Sequence, residues 1–514
     1  MNRVPTPPTT PTAATPRPRR APSGARTAWT IALRELTDHV TSARFLVIAL
    51  LVVGLTPLAV YVGASDYAVR LGEANRLEAE RQELAAGRAG ERVTGRDDPW
   101  TAENELQVLR AVRAPEPLSV LVRGMDGALP AYWDFSPTGT EAGSPASLPQ
   151  RMADLFGQLD LEFLVRVVLG LLAILLAFDA VAGEKETGTL RAALSQPISR
   201  PAFLTGKLLG GAITLLVPLV FALLAALLSA RLFGADLLTG DTVGKVALLG
   251  TTSALYLLCF YALGLLVSSL ATSQKTSLVV LLMVWVVAVL AIPPLSTLMA
   301  QAISPVPPAA AIQTRKQALE EDLRREAEVA MGDAYRDATG HPEGMVSGQA
   351  AGEHGEEIGE RAAPAILSYV NERRRLVGEV ERDTERRAAR QGKVAYAIMA
   401  VSPAAAFARA AADLAGTGDA HHAAWLIAAR AHQGRLDEAL FEDPPTLRAL
   451  NGGASITIER RDPPSLADLP AFAAPRRDAA AAVQRALPGL GLLVLFTAVF
   501  TSGAFVAFAR YDVR

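Results

Sequence analysis

The chain has 514 residues, half of them hydrophobic, and a formal net charge of −2. Near-neutrality gives no electrostatic case for a nucleic-acid partner. The single cysteine, Cys259, excludes both a disulfide within the chain and a cysteine metal site.

Residues 1–26 are rich in Pro, Thr and Arg and are expected to be a disordered tail. Over 27–41, Trp29, Leu33, Leu36 and Val40 recur at helical spacing with Arg34, Glu35 and Asp38 between them. Such a helix can lie in a membrane interface with its Trp at headgroup level. The first apolar run long enough to cross a bilayer is 45–62. Because it lies more than forty residues in, behind a Pro/Thr-rich tail, it reads as a signal anchor and not as a cleaved leader. Segment 63–160 opens with a charged helical stretch from Tyr67 to Arg88 that continues the span, and residues 116–135 predict a small strand pair. Further spans are expected at 161–182, 208–229, 246–267, 278–298 and 487–509. These runs are too uniformly apolar for barrel strands, so the fold class is all-α and polytopic. Between the fifth and sixth spans, 299–486 carries alternating Glu and Arg at 315–338 and 363–391. That pattern predicts a solvated helical hairpin rising off the fifth span. More helix follows over 402–440, and then a Pro-rich irregular stretch over 441–475.

Lys and Arg in the tail and short loops set the orientation. Arg17, Arg19, Arg20, Arg26, Arg34 and Arg44 precede the first span; Lys185, Arg191, Arg200 and Lys207 lie between the second and third; Lys275 separates the fourth and fifth; Arg510 and Arg514 follow the sixth. All fall on one face, so both termini are expected in the cytoplasm of a bacterium, and 63–160 and 299–486 outside its inner membrane.

The loop at 183–207 is the most informative. Glu184 and Glu186 precede a short apolar face of Leu190, Ala193 and Leu194, and Pro197 ends the helix. A short helix across the cytoplasmic mouth, with an exposed apolar stripe for a soluble partner, is the expectation. Glu184, Glu186, Gly188, Thr189, Leu190, Leu194, Ser195, Pro197, Arg200 and Gly206–Lys207 together resemble the signature of type-2 ABC export permeases. The resemblance implies that this loop is the coupling helix that docks on an ATPase subunit. It also implies that the 27–41 helix lies at the interface, and that the chain works with a second permease copy or a sister permease. "PLSVLVRG" at 117–124 and "SPAAAFARAAADLAGTG" at 402–418 look like outer-domain motifs of a subgroup with large extracytoplasmic insertions, which includes relatives of the permease of the copper-linked nitrous-oxide-reductase cluster.

The sequence contains no phosphate loop, so ATP enters only through a partner, and no cofactor is expected on this chain. It has no H-E-x-x-H and no G-x-S-x-G, which leaves no catalytic residues to name. "EHGEE" at 353–357 reads as a solvated turn, His421 and His422 as a helix surface, and Cys259 as a small core hydrophobe, so no metal site is expected. Spans three to six carry no charge in their middles, which argues against an ion-driven carrier. The reading is a membrane subunit of an ATP-driven exporter embedded in lipid. The alternative is a scaffold or sensor that displays its outer helices.

Overall fold

The computed structural model describes residues 24–87, 110–126, 130–136, 139–143, 159–196, 198–235, 237–238, 240–340, 355–441, 446–450, 455–459, 469–475 and 478–511. Among the described residues, six helical spans are long and apolar enough to cross a membrane, and the multi-pass architecture is that of a membrane-embedded protein. Apart from 24–26, which open the first helix, the expected tail at 1–26 lies outside the described residues.

Helix α1 (Gly24–Val40) leads into α2 (Ala43–Gly87), the first span. As the charged stretch from Tyr67 predicts, α2 runs on without a break well past its apolar part. The second span starts at Asp160, whose carboxylate accepts the Phe163 N–H at 2.8 Å. One helical turn (Leu161–Phe163) and a π segment (Leu164–Leu169) precede α3 (Gly170–Ala177). The chain then turns through 178–181 before α4 (Ala182–Glu186) and α5 (Thr189–Leu194). The third span, α6 (Arg200–Leu232), is capped by Ser199, and the fourth is α7 (Gly240–Leu270). In the fifth, α8 (Gln274–Trp285), a π segment (Val286–Ala291) and α9 (Ile292–Ile303) follow one another.

α7 forms the centre of the bundle. Tyr256, Phe260 and Tyr261 on it are fully buried. The Tyr256 hydroxyl donates to the Arg166 carbonyl at 2.7 Å, and that of Tyr261 to the Lys207 carbonyl at 3.2 Å. Both phenols therefore bury their rings without stranding a polar group. Cys259 is buried beside them, as a small core hydrophobe should be.

Beyond the fifth span, α10 (Ala309–Thr339) and α11 (Gly355–Met399) make the expected antiparallel hairpin. Arg373 pairs with Glu320 at 2.8 Å, Lys316 with Glu381, and Gln391 donates to the Ser304 carbonyl at 3.1 Å. Of "EHGEE", the last three residues begin α11 and the first two lie outside the described residues. Two helices follow, α12 (Pro403–Ala415) and α13 (Asp419–Phe441), separated at Gly416 (φ +75°), where the left-handed backbone suits glycine.

α12 enters the bundle. Phe407 stacks on Tyr256 with ring centroids 4.5 Å apart, and a Cβ on Gly489 would meet the Ala406 carbonyl at 2.8 Å. Its N-cap explains the fit. Ile292 donates to the Val287 carbonyl in π register, so the residue that would next serve Ala288 is Pro293, which has no N–H. The Ser402 hydroxyl takes that carbonyl instead, at 2.6 Å.

The segments 63–160 and 299–486, expected as two separate outer domains, interlock. Three antiparallel strands, β1 (Ala111–Val112), β2 (Tyr132–Ser136) and β3 (Gly139–Gly143), replace the predicted pair, and Pro117–Val120 is a 3-10 turn. Trp133 from this sheet stacks on Trp425 of α13 at 5.2 Å, and Phe135 meets His432 at 4.5 Å. Trp133, Phe135 and Trp425 form a second hydrophobic core with Leu436 and Leu469. His421 is a correction to the sequence reading: it is 1 % exposed and not on a helix surface, held by the Trp425 indole N–H at 3.1 Å and facing Arg485 at 3.0 Å. Burial of the Trp425 ring draws its helix face, His421 included, inward. Residues 446–459, expected to be irregular, contain a hairpin of β4 (Thr446–Leu450) and β5 (Ser455–Glu459). The sixth span, α14 (Ala479–Ala509), is capped by Asp478.

The "PLSVLVRG" and "SPAAAFARAAADLAGTG" motifs meet here. The Thr417 hydroxyl donates to the Val122 carbonyl at 3.1 Å, and the Met125 N–H to the Thr417 carbonyl at 2.9 Å. Asp413 is buried in the same joint, near Arg409, Asp419 and Arg485. Burial, with Asp419 nearby, pushes its carboxyl from 3.8 up to about 7. The folded chain thus holds a proton that the unfolded chain releases, so this group's stabilisation is full below pH 3.8 and lost as pH rises through about 7. Burial pulls His432 down to about 4, with the opposite sign: its contribution falls as pH drops below 6.5. Asp413→Asn should therefore gain stability over wild type progressively between pH 3.8 and about 7, then plateau, in thermal melts of the purified protein. A gap independent of pH would refute the assignment.

Candidate functional site

Three consecutive charges on α4 each reach a different neighbour. The Glu184 carboxylate lies 2.7 Å from the Lys207 ammonium on α6, which also bonds Glu35 of α1. Lys207 is 2 % exposed, so this cation is buried between two anions and its desolvation is offset on both sides. Lys185 donates to the carbonyls of Ser269 and Ala271, at and just past the end of α7, and sits 4.7 Å from the Tyr511 ring beyond the sixth span. Glu186 accepts the Gln274 N–H at 2.9 Å, at the N-terminus of α8. An anion there complements the positive end of the helix dipole. Arg200 completes the set by donating to the Ala509 carbonyl at 2.6 Å.

The bend between α3 and α4 is held by one hydroxyl. Ser268 accepts the N–H groups of Val181 and Ala182 at 3.0 and 2.9 Å and donates to the Phe178 carbonyl at 2.9 Å. Arg44, at the start of α2, pairs with Asp179 in the same bend at 3.0 Å.

The expected single helix is two, because Gly188 sits at φ +76° between α4 and α5. A Cβ there meets nothing within 4 Å, so only backbone conformation demands glycine. Gly188→Ala should cost about 1–2 kcal/mol, read as a lower melting temperature with unchanged membrane insertion; a melt equal to wild type would show that the elbow tolerates another path.

The apolar stripe on α5 points the other way from expectation. Leu190 is 1 % exposed and joins the main core, with Ala193 and Leu194 packed against it. The turn at Gly188 rolls α5 onto the bundle, which buries Leu190 and half-buries Leu194. The outward side is polar instead: Glu186, Thr187, Thr189, Arg191, Ser195 and Gln196 are exposed. Pro197 lies outside the described residues.

α1 runs alongside α6 in the same direction. A Cβ on Gly206 would meet the Ala28 carbonyl at 2.7 Å, one on Gly210 would meet the Ala32 carbonyl at 2.8 Å, and Thr214 contacts His39 at 3.4 Å. Small residues on both helices permit the approach that lets Glu35 reach Lys207. Trp29, Leu33 and Val40 face away and are exposed, and Leu36 is half-buried.

From the sequence, Lys185 is only a topology charge and Lys207 a topology charge and part of the family signature; Ser268 and the Arg44–Asp179 pair are missed. A lysine at the foot of an apolar helix, with acids on two preceding segments, is the signal for the buried clamp. Among the described residues, no group of three or more His, Cys, Asp or Glu is placed to hold a metal ion.

Residues 29–370 match the ABC-2 family transporter protein model, two thirds of the chain. The chain belongs to the ABC-2 transporter family. It is therefore an ABC permease subunit, a membrane transport component of a kind that typically works with a cytoplasmic ATPase subunit and is generally not itself catalytic. Residues 367–475 of the permease match a domain of unknown function, DUF3526. No curated relative matches the chain. The two matched segments meet inside α11, and neither reaches the sixth span.

Proposed function

We propose that the permease is the membrane half of an ATP-driven exporter in a bacterial inner membrane, with both termini cytoplasmic and the outer module in the periplasm. ATP is bound and hydrolysed by a separate ABC ATPase. The polar elbow over 183–200 receives its motion, and a second copy or a sister permease completes the transporter. The observation that carries this reading is the fan of Glu184, Lys185 and Glu186 to the third, fourth and fifth spans, since a push on α4 reaches all three at once. The arginines of the tail and short loops support the orientation. The exposed apolar residues of α1 suit the headgroup layer. The meeting of the two outer motifs supports placement in the subgroup with large extracytoplasmic domains, among relatives of the nitrous-oxide-reductase-cluster permease.

The test is reconstitution with the cognate ATPase. Glu184→Ala and Glu186→Ala should each insert normally yet lose permease-dependent ATPase stimulation, and Arg191→Glu on the outward face should weaken ATPase capture. Full stimulation in all three variants would sink the elbow's role. The interlocked outer module also favours a second reading, a scaffold or sensor. Capture of periplasmic proteins in place of an ATPase under mild detergent would select it.

A further inference from the structure

An open cavity of about 690 Å³ lies between the cytoplasmic ends of the fourth and sixth spans. Its lining is mainly apolar, with Leu266, Leu270, Gly503 and Val506 contributing. Its lining includes two cations, Lys185 and Arg510, and among the described residues no acidic side chain. Leu270 and Val506 are 66 and 49 % exposed, so the groove opens sideways toward the acyl layer and not only into the cytoplasm. Two of the three Lys185 donors are spent on carbonyls of residues 269 and 271, which fixes the ammonium in place and leaves one N–H to offer.

We propose that this groove is a binding site for one anionic phospholipid of the cytoplasmic leaflet, on the orientation proposed above, with its phosphate between Lys185 and Arg510 and an acyl chain along the apolar lining. The volume is in the range of small-molecule sites, about 300–1,000 Å³. Basic pockets between helices at the cytoplasmic side suit acidic headgroups. A soluble phosphate would use the cations but gain nothing from the apolar lining, so the pairing of the two selects a lipid. Bound there, the lipid touches the same lysine that ties the elbow to the fourth span.

The experiment is native mass spectrometry of the full chain after reconstitution in equal parts phosphatidylglycerol and phosphatidylcholine. One phosphatidylglycerol should be retained in preference to phosphatidylcholine. Arg510→Gln should lower that retention about fivefold, the loss expected for one cation near an acidic headgroup. Val506→Trp, which fills the groove from its exposed wall, should lower it too while the melting temperature stays put, and it decides the matter if Arg510→Gln fails to insert. Unchanged retention in the variants would overturn the proposal. So would displacement of the lipid by inorganic phosphate, which would mark a free-anion site, or a Ser502→Cys crosslink between chains, which would show the groove covered by a second copy.

Discussion

Lys207→Met should destabilise the permease by about 3–5 kcal/mol, the usual cost of removing one partner from a buried ion pair. The lysine is 2 % exposed, and its loss leaves the carboxylates of Glu35 and Glu184 facing each other with no cation between them. Methionine keeps the length and apolar stem of the side chain, so the effect isolates the charge. Two readouts are needed: a melting curve in detergent, and stimulation of the partner ATPase after reconstitution. Both should fall, because the lysine is where α1, α4 and the third span meet. Adding Glu35→Gln and Glu184→Gln to the same chain should recover much of the stability but not the stimulation, since neutral amides relieve repulsion without restoring the clamp. A Lys207→Met protein that melts like wild type would show that the cluster is solvated in the membrane.

Trp425→Ala should cost about 3–5 kcal/mol, the range for deleting a buried aromatic ring. The loss should be confined to the outer module. The ring is 1 % exposed, stacks on Trp133 with an interplanar angle of 8°, and is also stacked on Phe472 at 5.4 Å. Its removal also frees the buried ring of His421 from its indole donor. Limited proteolysis of sealed, inverted and right-side-out vesicles would read this out. Cleavage should accelerate within 110–143 and 419–441, from the side opposite the termini, while the six spans remain protected. Protease resistance equal to wild type would mean that the second core is not what holds the two outer segments together.

Where the sequence is legible, the reason is local. The six apolar runs are visible because lipid requires about 20 apolar residues per crossing whatever their neighbours do. The helical hairpin is visible because Glu and Arg pair one turn apart along each arm, as Arg375 does with Glu379 at 2.8 Å. What is not legible is direction. Leu190 and Leu194 form an apolar stripe from sequence alone, but whether that stripe faces a partner or the bundle depends on the φ of Gly188, a tertiary outcome. His421 looks like a surface residue because its neighbours are alanine and histidine; it is buried because Trp425, one turn on, has a ring to stack on from the other outer segment. Pro293 is plain in the sequence, but nothing there tells that the Ala288 carbonyl it leaves without a donor will be taken by Ser402, 114 residues away. Sequence reading ranks residues by type; the clamp around Lys207 depends on three segments arriving at one place.

The first span and its extension have a geometric consequence. α2 is one helix of 45 residues, about 65 Å at the usual rise per residue. Its foot is pinned at the elbow by Arg44 and Asp179. Farther along, Gly63 packs on the Val120 carbonyl, and Arg70 pairs with both Asp66 and Asp126. A rod held at both places acts as a lever. Tilting it by about 5° at the foot would carry the far tip sideways by about 6 Å, for a helix of that length. Displacements too small to open a path through the bundle would thus be large where the outer module could grip or release something.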